Sequence, residues 1–498
     1  MKINVLTKDI TDFSGDAIIV SVFKDEKELT SATAAVDRAL SGLIRKLLAD
    51  GEISGKIGET AVIHNCHNLK ARKVIVVGLG KQQDFDYESI RRAAGAAAKR
   101  AKQIKAKHIG TAIQSSTKRE LDKMYATQSL VEGTLLSQYT FAEYKKPENP
   151  HDIGTFSIIE IDESRAQKIK KAAELGRILA ESQNTARDLI NAPANDLTPE
   201  KLLNRVRSKI REIGLSNTIK CQYLDEKTLR NLGMGALLSV AQGSVNDPRF
   251  IVLRVKTANR PLVCLIGKTV TFDSGGISIK QSAGMGSMKG DMAGGAIAIG
   301  ATLSLARAHA KVNLMTLIPA VENMPSGSAY RPGDVVRAMN GTTIEIVTTD
   351  AEGRLTLADA LTYAENKGAR KIIDIATLTG GCSVALGNSI AAVMGNAQEL
   401  IDKIIKISKS TGEALWQLPL YDDYKTQIKS EVADLKNSGG RYASTITAGL
   451  FLNAFIDKAQ WIHIDVAGKE LTEKESYYTP IGGTGFGVRT LHELIENL

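Results

Sequence analysis

Six ionisable residues carry the chemistry that this sequence can be expected to do. Asp350 and Glu352 stand two residues apart in the stretch TDAEGRL, Thr349 to Leu355. Upstream, KTVTFDSGGISIKQSAGMGSMKGDMAGG carries Lys268, Asp273, Lys280 and Asp291 among glycines that let backbone approach backbone or ligand closely. A β-branched run, Thr342 to Val347, precedes Asp350 and reads as a strand, so period-two alternation predicts that Asp350 and Glu352 point to one side, with Arg354 one step further on. Four acids gathered at strand ends repel one another unless neutralised. Two divalent cations do this most simply, and an oxygen-rich donor set suits Mg, Mn or Zn. Cations about 3.5–4 Å apart would bind a bridging water, lower its pKa towards neutrality and polarise a carbonyl or phosphoryl oxygen. The seven histidines include no H-E-x-x-H, which excludes a zincin-type site.

The elements that must position these residues read as alternating strands and helices. AIIVSVF (Ala17 to Phe23), KVIVVGLG (Lys73 to Gly80) and HIGTAIQ (His108 to Gln114) are apolar enough for buried parallel strands, and helical spacing runs over Ala34–Leu48 and Glu88–Ala106. A long helical pattern from Asp162 to Ile190 ends at NAPAND, after which Thr198 caps a helix with Pro199 in its first turn. Strands follow at Ile219–Tyr223, Pro261–Gly267, Asn313–Ala320, Lys371–Leu378 and Trp461–Gly468, with helices at Gly294–Arg307 and Leu357–Glu365. The fold class is α/β in two domains: residues 1–163 with a mostly parallel sheet, a linker helix over 164–184, and a second domain over 185–498. The acids fall at strand ends, where open α/β sheets bind ligands. Two nucleotide signals fail. Gly78-Leu79-Gly80 lacks the third glycine of a dinucleotide fingerprint, and a P-loop ending in Gly267-Lys268-Thr269 needs glycine where Leu262 stands.

At 498 residues, with 43% hydrophobic and 24% charged residues, the chain is long enough for two globular cores. No apolar run approaches the ~20 residues of a membrane span, and the N-terminus lacks a signal-peptide core, so a cytoplasmic protein without a membrane partner is expected. Cys66, Cys221, Cys264 and Cys382 are scattered, which fits buried thiols rather than a disulfide framework. The net charge is +9, and Ile90 to Arg119 carries nine cations without an acid, among them Arg91, Arg92, Lys99, Arg100, Lys102, Lys118 and Arg119. This run reads as a solvated helix face or as a DNA-binding patch, although aromatic residues for base stacking are missing from it.

The segments KTVTFDSGGISIK, SMKGDM, ENMPSGSAYRPGD (Glu322 to Asp334) and TDAEGRL resemble those of the leucyl aminopeptidase family, the cytosol aminopeptidases of the M17 type. NAPANDLTP, GMGALLSVAQGS, DLKNSGG and TGFGVRTL extend the resemblance over the second domain. It implies a mixed-sheet catalytic domain, a macro-domain-like first domain for oligomerisation or regulation, and a homohexamer acting on peptide substrates. It implies that Lys268, Asp273, Asp291 and Glu352 surround one metal, with a neutral Lys268, and that Asp273, Asp350 and Glu352 hold a second. Lys280 would stabilise the oxyanion, and Arg354 would hold a bicarbonate ion that shuttles the proton. Met288 and Thr377 match positions lining the pocket for the first side chain, which implies a preference for Leu and other apolar residues. Two positions depart from the family pattern: Thr348 stands where asparagine is usual, and Gly290 where a larger residue is usual. A phosphoesterase also uses two metals, but a lysine ligand suits an amine-binding metal better than a phosphate-binding one.

Overall fold

The computed structural model describes every residue except 26, 27, 30, 65, 115–119 and 146–150. It contains two compact units, Met1–Glu181 with Lys474–Pro480, and Ser182–Glu473 with Ile481–Leu498. In the first, six strands form one sheet in the order Lys2–Thr7, Thr155–Glu160, His108–Ala112, Ala17–Val22, Lys73–Gly78, Thr60–His64. All neighbours are parallel except the last pair. Residues 17–20 and 74–78 are unbroken apolar runs because both of their faces are covered: Ile19, Ile75 and Val77 enter one core, Ile18, Val20, Val74 and Val76 the other.

The helical spacing of Ala34–Leu48 resolves into two helices, Ser31–Ala39 and Leu43–Ala49. Ser41 and Gly42 turn the chain through left-handed conformations, and the Asp37 carboxylate accepts from Ile44 N at 2.9 Å and Arg45 N at 3.2 Å, capping the second helix.

The basic run lies largely on the helix Tyr87–Gln103, and its face is not free. Arg91 is fully buried and donates to Glu132 Oε2 at 2.6 Å. Arg92 pairs with Glu88 at 2.9 Å and lies over the Tyr477 ring, Lys99 pairs with Glu475 at 2.7 Å, and Lys102 with Asp152 at 3.2 Å. Arg91 therefore cannot touch a phosphate; Lys118 and Arg119 lie outside the described residues.

In the second unit the main sheet is mixed and, among the described residues, nine-stranded. Gln460–Asp465, Lys371–Ala376, Val263–Gly267 and Asn313–Asn323 run parallel at its centre. Arg249–Lys256 and Ile219–Leu224 close one side with antiparallel pairings; on the other, Ala391–Gly395 pairs antiparallel with Gln460–Asp465, and Leu415–Gln417 adds to it in parallel. Thr269–Asp273 pairs with the far half of Asn313–Asn323. The helix Ala293–Arg307 packs in one core with Leu265, and the helix Gly353–Asn366 in the other with Cys264 and Ile266.

The strand expected before Asp350 is short, Thr343–Glu345, and belongs to a separate sheet with Val335–Arg337 and Leu435–Lys436. It ends five residues before Asp350, and the next helix begins at Gly353 rather than at Leu357. Period-two alternation therefore does not orient Asp350, Glu352 and Arg354.

All four cysteines are free, Cys66, Cys264 and Cys382 buried and Cys221 half-buried. No helix among the described residues is long and apolar enough to cross a membrane.

Because Arg91 and Glu132 are both fully buried, Arg91→Ala leaves a charge uncompensated and is expected to destabilise the protein by about 3–5 kcal/mol, whereas Arg91→Met with Glu132→Leu recovers most of the loss. Denaturant unfolding of the two variants checks this.

Candidate metal centre

The site forms where the chain leaves the carboxyl ends of Val263–Gly267, Thr269–Asp273 and Lys371–Ala376 and meets the turn between the small sheet and the helix Gly353–Asn366. Lys268 follows the strand Val263–Gly267 directly, and its N–H donates to the Ile375 carbonyl at 3.0 Å. Thr269–Asp273 then delivers Asp273. The chain turns back through Gly275 (φ 88°) and Gly276 (φ 67°); a Cβ on Gly275 would lie 2.5 Å from Ser278 O and 3.1 Å from Asp350 Oδ1. Asp291 sits in the 3-10 helix Met285–Met292, which runs into Ala293–Arg307. That junction approaches the sheet because Gly267 and Gly294 have no side chains: a Cβ on Gly267 would meet Gly294 O at 2.4 Å. Glu352 has helical φ and ψ (−76°, −38°) and caps Gly353–Asn366. A helix start, not a strand end, points Glu352 inward. Gly353 leaves room for the Lys268 side chain, since a Cβ there would lie 2.4 Å from Lys268 Cε.

The six side chains converge. Lys268 Nζ lies 2.7 Å from Asp291 Oδ1 and 2.9 Å from Glu352 Oε1, and donates to the Thr377 carbonyl at 2.8 Å. Lys280 Nζ lies 2.7 Å from Asp273 Oδ2 and also pairs with Asp350. Asp273, Asp350 and Glu352 each offer one oxygen such that all three lie within 4.8 Å of one another. Lys268, Asp273, Asp291 and Glu352 are buried, Lys280 is half-buried and Asp350 exposed, so one flank of the cluster is closed and the other open.

Burial and charge pull these groups in opposite directions. Burial lowers the Lys268 ammonium, but Asp291, Glu352 and Asp273 outweigh it and hold its pKa above the ordinary lysine value. Lys280 is likewise raised by Asp273 and Glu352 against its burial. Burial and the Glu352 charge push Asp273 up to about 6, against both lysines, and burial raises Asp291 and Asp350. Glu352 falls below its usual value because Lys268 and Lys280 overcome its burial. A neutral Lys268, which the resemblance implies, therefore requires that cation binding expel its proton.

Two of the expected residues take places the sequence does not indicate. Thr377 is buried, and its hydroxyl donates to Asp291 Oδ1 at 2.7 Å while its carbonyl holds Lys268, so it fixes two of the six groups. Arg354 is buried in the first turn of its helix, its Nε without a hydrogen-bond partner, and burial lowers its pKa to about 10, still a cation near neutrality. Met288 is half-buried on the segment that carries Asp291. Three supporting residues went unassigned in the sequence. Asn323 donates to Asp273 Oδ1 at 2.8 Å and to Thr349 O at 2.9 Å, Tyr330 OH donates to Thr349 O at 2.7 Å, and Thr349 Oγ1 accepts from Ser278 N at 2.8 Å. Asn323 and Tyr330 both lie in ENMPSGSAYRPGD, where polar groups at a strand end were the available signal.

The donor set fits a pair of divalent cations. Four carboxylates converge on one place, and Asp291 Oδ2 is buried without a hydrogen-bond partner although its other oxygen accepts two bonds. The model of the cytosol aminopeptidase family's catalytic domain matches residues 184–492, and that of its N-terminal domain matches 19–148. The chain belongs to the cytosol aminopeptidase family. It is similar to the probable cytosol aminopeptidase of Syntrophotalea carbinolica (43% identical, covering 97% of each chain) and to that of Alkaliphilus oremlandii (38%, covering 100% of each). Among solved structures, it resembles a mutant of tomato leucine aminopeptidase with a TM-score of 0.88 at 31% identity, covering 100% of this chain and 97% of that one. It resembles the bottromycin maturation enzyme BotP in complex with Mn with a TM-score of 0.84 at 30% identity, covering 97% and 99%. As a member of that family the chain is a metal-dependent peptidase in two α/β domains.

Because the folded state raises the Asp273 carboxyl from 3.8 to about 6, its share of metal-free stability is full below pH 3.8 and is lost as pH rises through about 6. The same proton competes with a cation. Affinity of the Asp273, Asp350 and Glu352 set for Mn or Zn is expected to fall about tenfold per pH unit below 6, and a cation that must also expel the Lys268 proton loses affinity more steeply, which metal titration of chelator-treated protein between pH 4.5 and 7.5 checks.

Proposed function

We propose that this chain removes N-terminal residues from peptides with two divalent cations, Mn or Zn, with Mg a weaker alternative, held by Lys268, Asp273, Asp291, Asp350 and Glu352. What supports this most directly is the convergence of Asp273, Asp350 and Glu352 within 4.8 Å, beside the unpartnered oxygen of Asp291. Lys268, Asp273, Asp291 and Glu352 would hold the buried cation, and Asp273, Asp350 and Glu352 the one nearer the open flank. Bound there, the pair supplies Lewis acidity for the scissile carbonyl and an activated water. The naming of Mn in the BotP complex supports manganese as one occupant.

The chain's own groups do the rest. Lys280, half-buried and held protonated by Asp273, presents a cation where negative charge develops on the carbonyl oxygen. Thr377 keeps Asp291 and Lys268 in register. Arg354, a buried cation without a carboxylate hydrogen bond among the described residues, is suited to hold a bicarbonate ion as proton carrier, which accounts for the lack of a His or Glu general base in the motifs. Met288 and Thr377 would wall the pocket for the first side chain and favour Leu and other apolar residues. The family resemblance further supports a cytoplasmic homohexamer.

Leu-amide hydrolysis should require Mn or Zn and vanish on chelation. Glu352→Ala is expected to lose both metal and activity, Arg354→Ala to slow turnover about 100-fold with metal content retained, and Lys280→Ala to lower kcat about 100–1,000-fold. Kinetics paired with metal analysis of each variant decide the matter: equal metal loss in the Glu352 and Arg354 variants would show this division of labour to be wrong.

A further inference from the structure

The mechanism leaves Glu470, a half-buried carboxylate, unused. Glu470 follows the strand Gln460–Asp465 by five residues, and its Oε2 is shielded from solvent with no hydrogen-bond partner. Burial raises its pKa and a nearby Asp465 adds to the rise, while backbone N–H groups of Glu470 and Gly468 and the charge of Lys469 only partly offset it. The neighbouring lysines are committed elsewhere: Lys469 Nζ donates to Gly387 O at 2.5 Å and Ala467 O at 2.9 Å, and Lys289 Nζ to Asn191 O at 2.7 Å. Among the described residues no cation forms an ion pair with Glu470.

Its position is defined from two sides. The Cβ that Gly290 lacks would lie 3.0 Å from Leu471 Cδ1 and 3.5 Å from Glu470 Cγ, so these two side chains occupy the space that a larger residue at 290 would fill. Gly290 stands between Met288 and Asp291 in the chain. On the other side, Glu470 interacts electrostatically with Asp465 and with the Cys382 thiol. Asp465 accepts from Leu378 N at 3.1 Å and Thr379 Oγ1 at 2.7 Å, the two residues after Thr377. Glu470 thus sits between the segment that carries Met288 and the segment that carries Thr377, the two walls assigned to the first side chain.

We propose that Glu470 is a specificity determinant whose carboxylate receives the cationic end of a Lys or Arg side chain at the substrate's N-terminus. Such side chains have an apolar stem, which Met288 can pack, and a charged head that needs a partner when drawn out of water. The pocket then accepts apolar residues and, beyond them, residues that are apolar along their length and cationic at the tip. The inference rests on the aminopeptidase reading and adds to it a preference that the apolar walls alone do not supply.

The test compares Arg-amide with citrulline-amide, which has nearly the same shape and no charge, on the full-length Mn-loaded protein, with Leu-amide as reference. In the wild type, kcat/KM is expected to favour Arg over citrulline. Glu470→Gln should lower that ratio about tenfold or more, as should Glu470→Leu, the loss falling mainly on KM. A wild type that cleaves Leu-amide but does not favour Arg over citrulline overturns the proposal, and so does a ratio unchanged in Glu470→Gln. A wild type that cleaves none of the three amides overturns the aminopeptidase reading, and the proposal with it.

Discussion

The constraint on which this structure turns is the charge balance of a small, mostly buried cluster. Four carboxylates and two ammonium groups leave two negative charges in excess, and four of the six side chains are shielded from water. Carboxylates so placed destabilise a fold unless each finds a cation or a set of donors. The surroundings supply both: Lys268 lies between Asp291 and Glu352, Lys280 between Asp273 and Asp350, and Asn323 and the Gly275 N–H both donate to Asp273 Oδ1. The remaining excess and the unpartnered oxygen of Asp291 make the place selective for further positive charge.

The elements around the cluster follow from bringing it together. Three loops must meet within a few ångström while their flanking helices pack on opposite faces of one sheet. Glycine makes this feasible at the tightest points, Gly267 and Gly294 where a helix start meets a strand end, and Gly353 beneath Lys268. A methyl group at any of these places would push apart groups whose chemistry depends on contact. Asn323 donates both to Asp273 Oδ1 and to the Thr349 carbonyl, and Tyr330 OH donates to the same carbonyl, so the turn that carries Asp350 is tied to the end of the Asp273 strand.

Much of this was legible in the sequence because buried parallel strands are continuous apolar runs and their ends are where polar residues resume. Val263–Gly267, Lys371–Ala376 and Gln460–Asp465 were found that way, and the six charged residues from their spacing among glycines. What escaped depended on partners distant in sequence. Period two does not orient Glu352, because Gly353 opens a helix where glycine ordinarily reads as a turn. Arg91 looks like any surface cation until Glu132, 41 residues on, is brought beside it. The sheet containing Thr343–Glu345 depends on pairing with Leu435–Lys436, about 90 residues away, which no local pattern announces.

The eleven-residue strand Asn313–Asn323 has a consequence for how the site behaves over time. Its first half pairs with Val263–Gly267 and its second half with Thr269–Asp273, while Arg249–Lys256 lies along its other edge. Asp273 and Asn323 are therefore the last rungs of the ladder that runs through the middle of the unit. Local opening in proteins is easiest at frayed ends and loops and hardest in such central strands. By that rule the buried half of the cluster shares the persistence of the core, whereas Asp350 and Lys280 stand on the flank that solvent reaches.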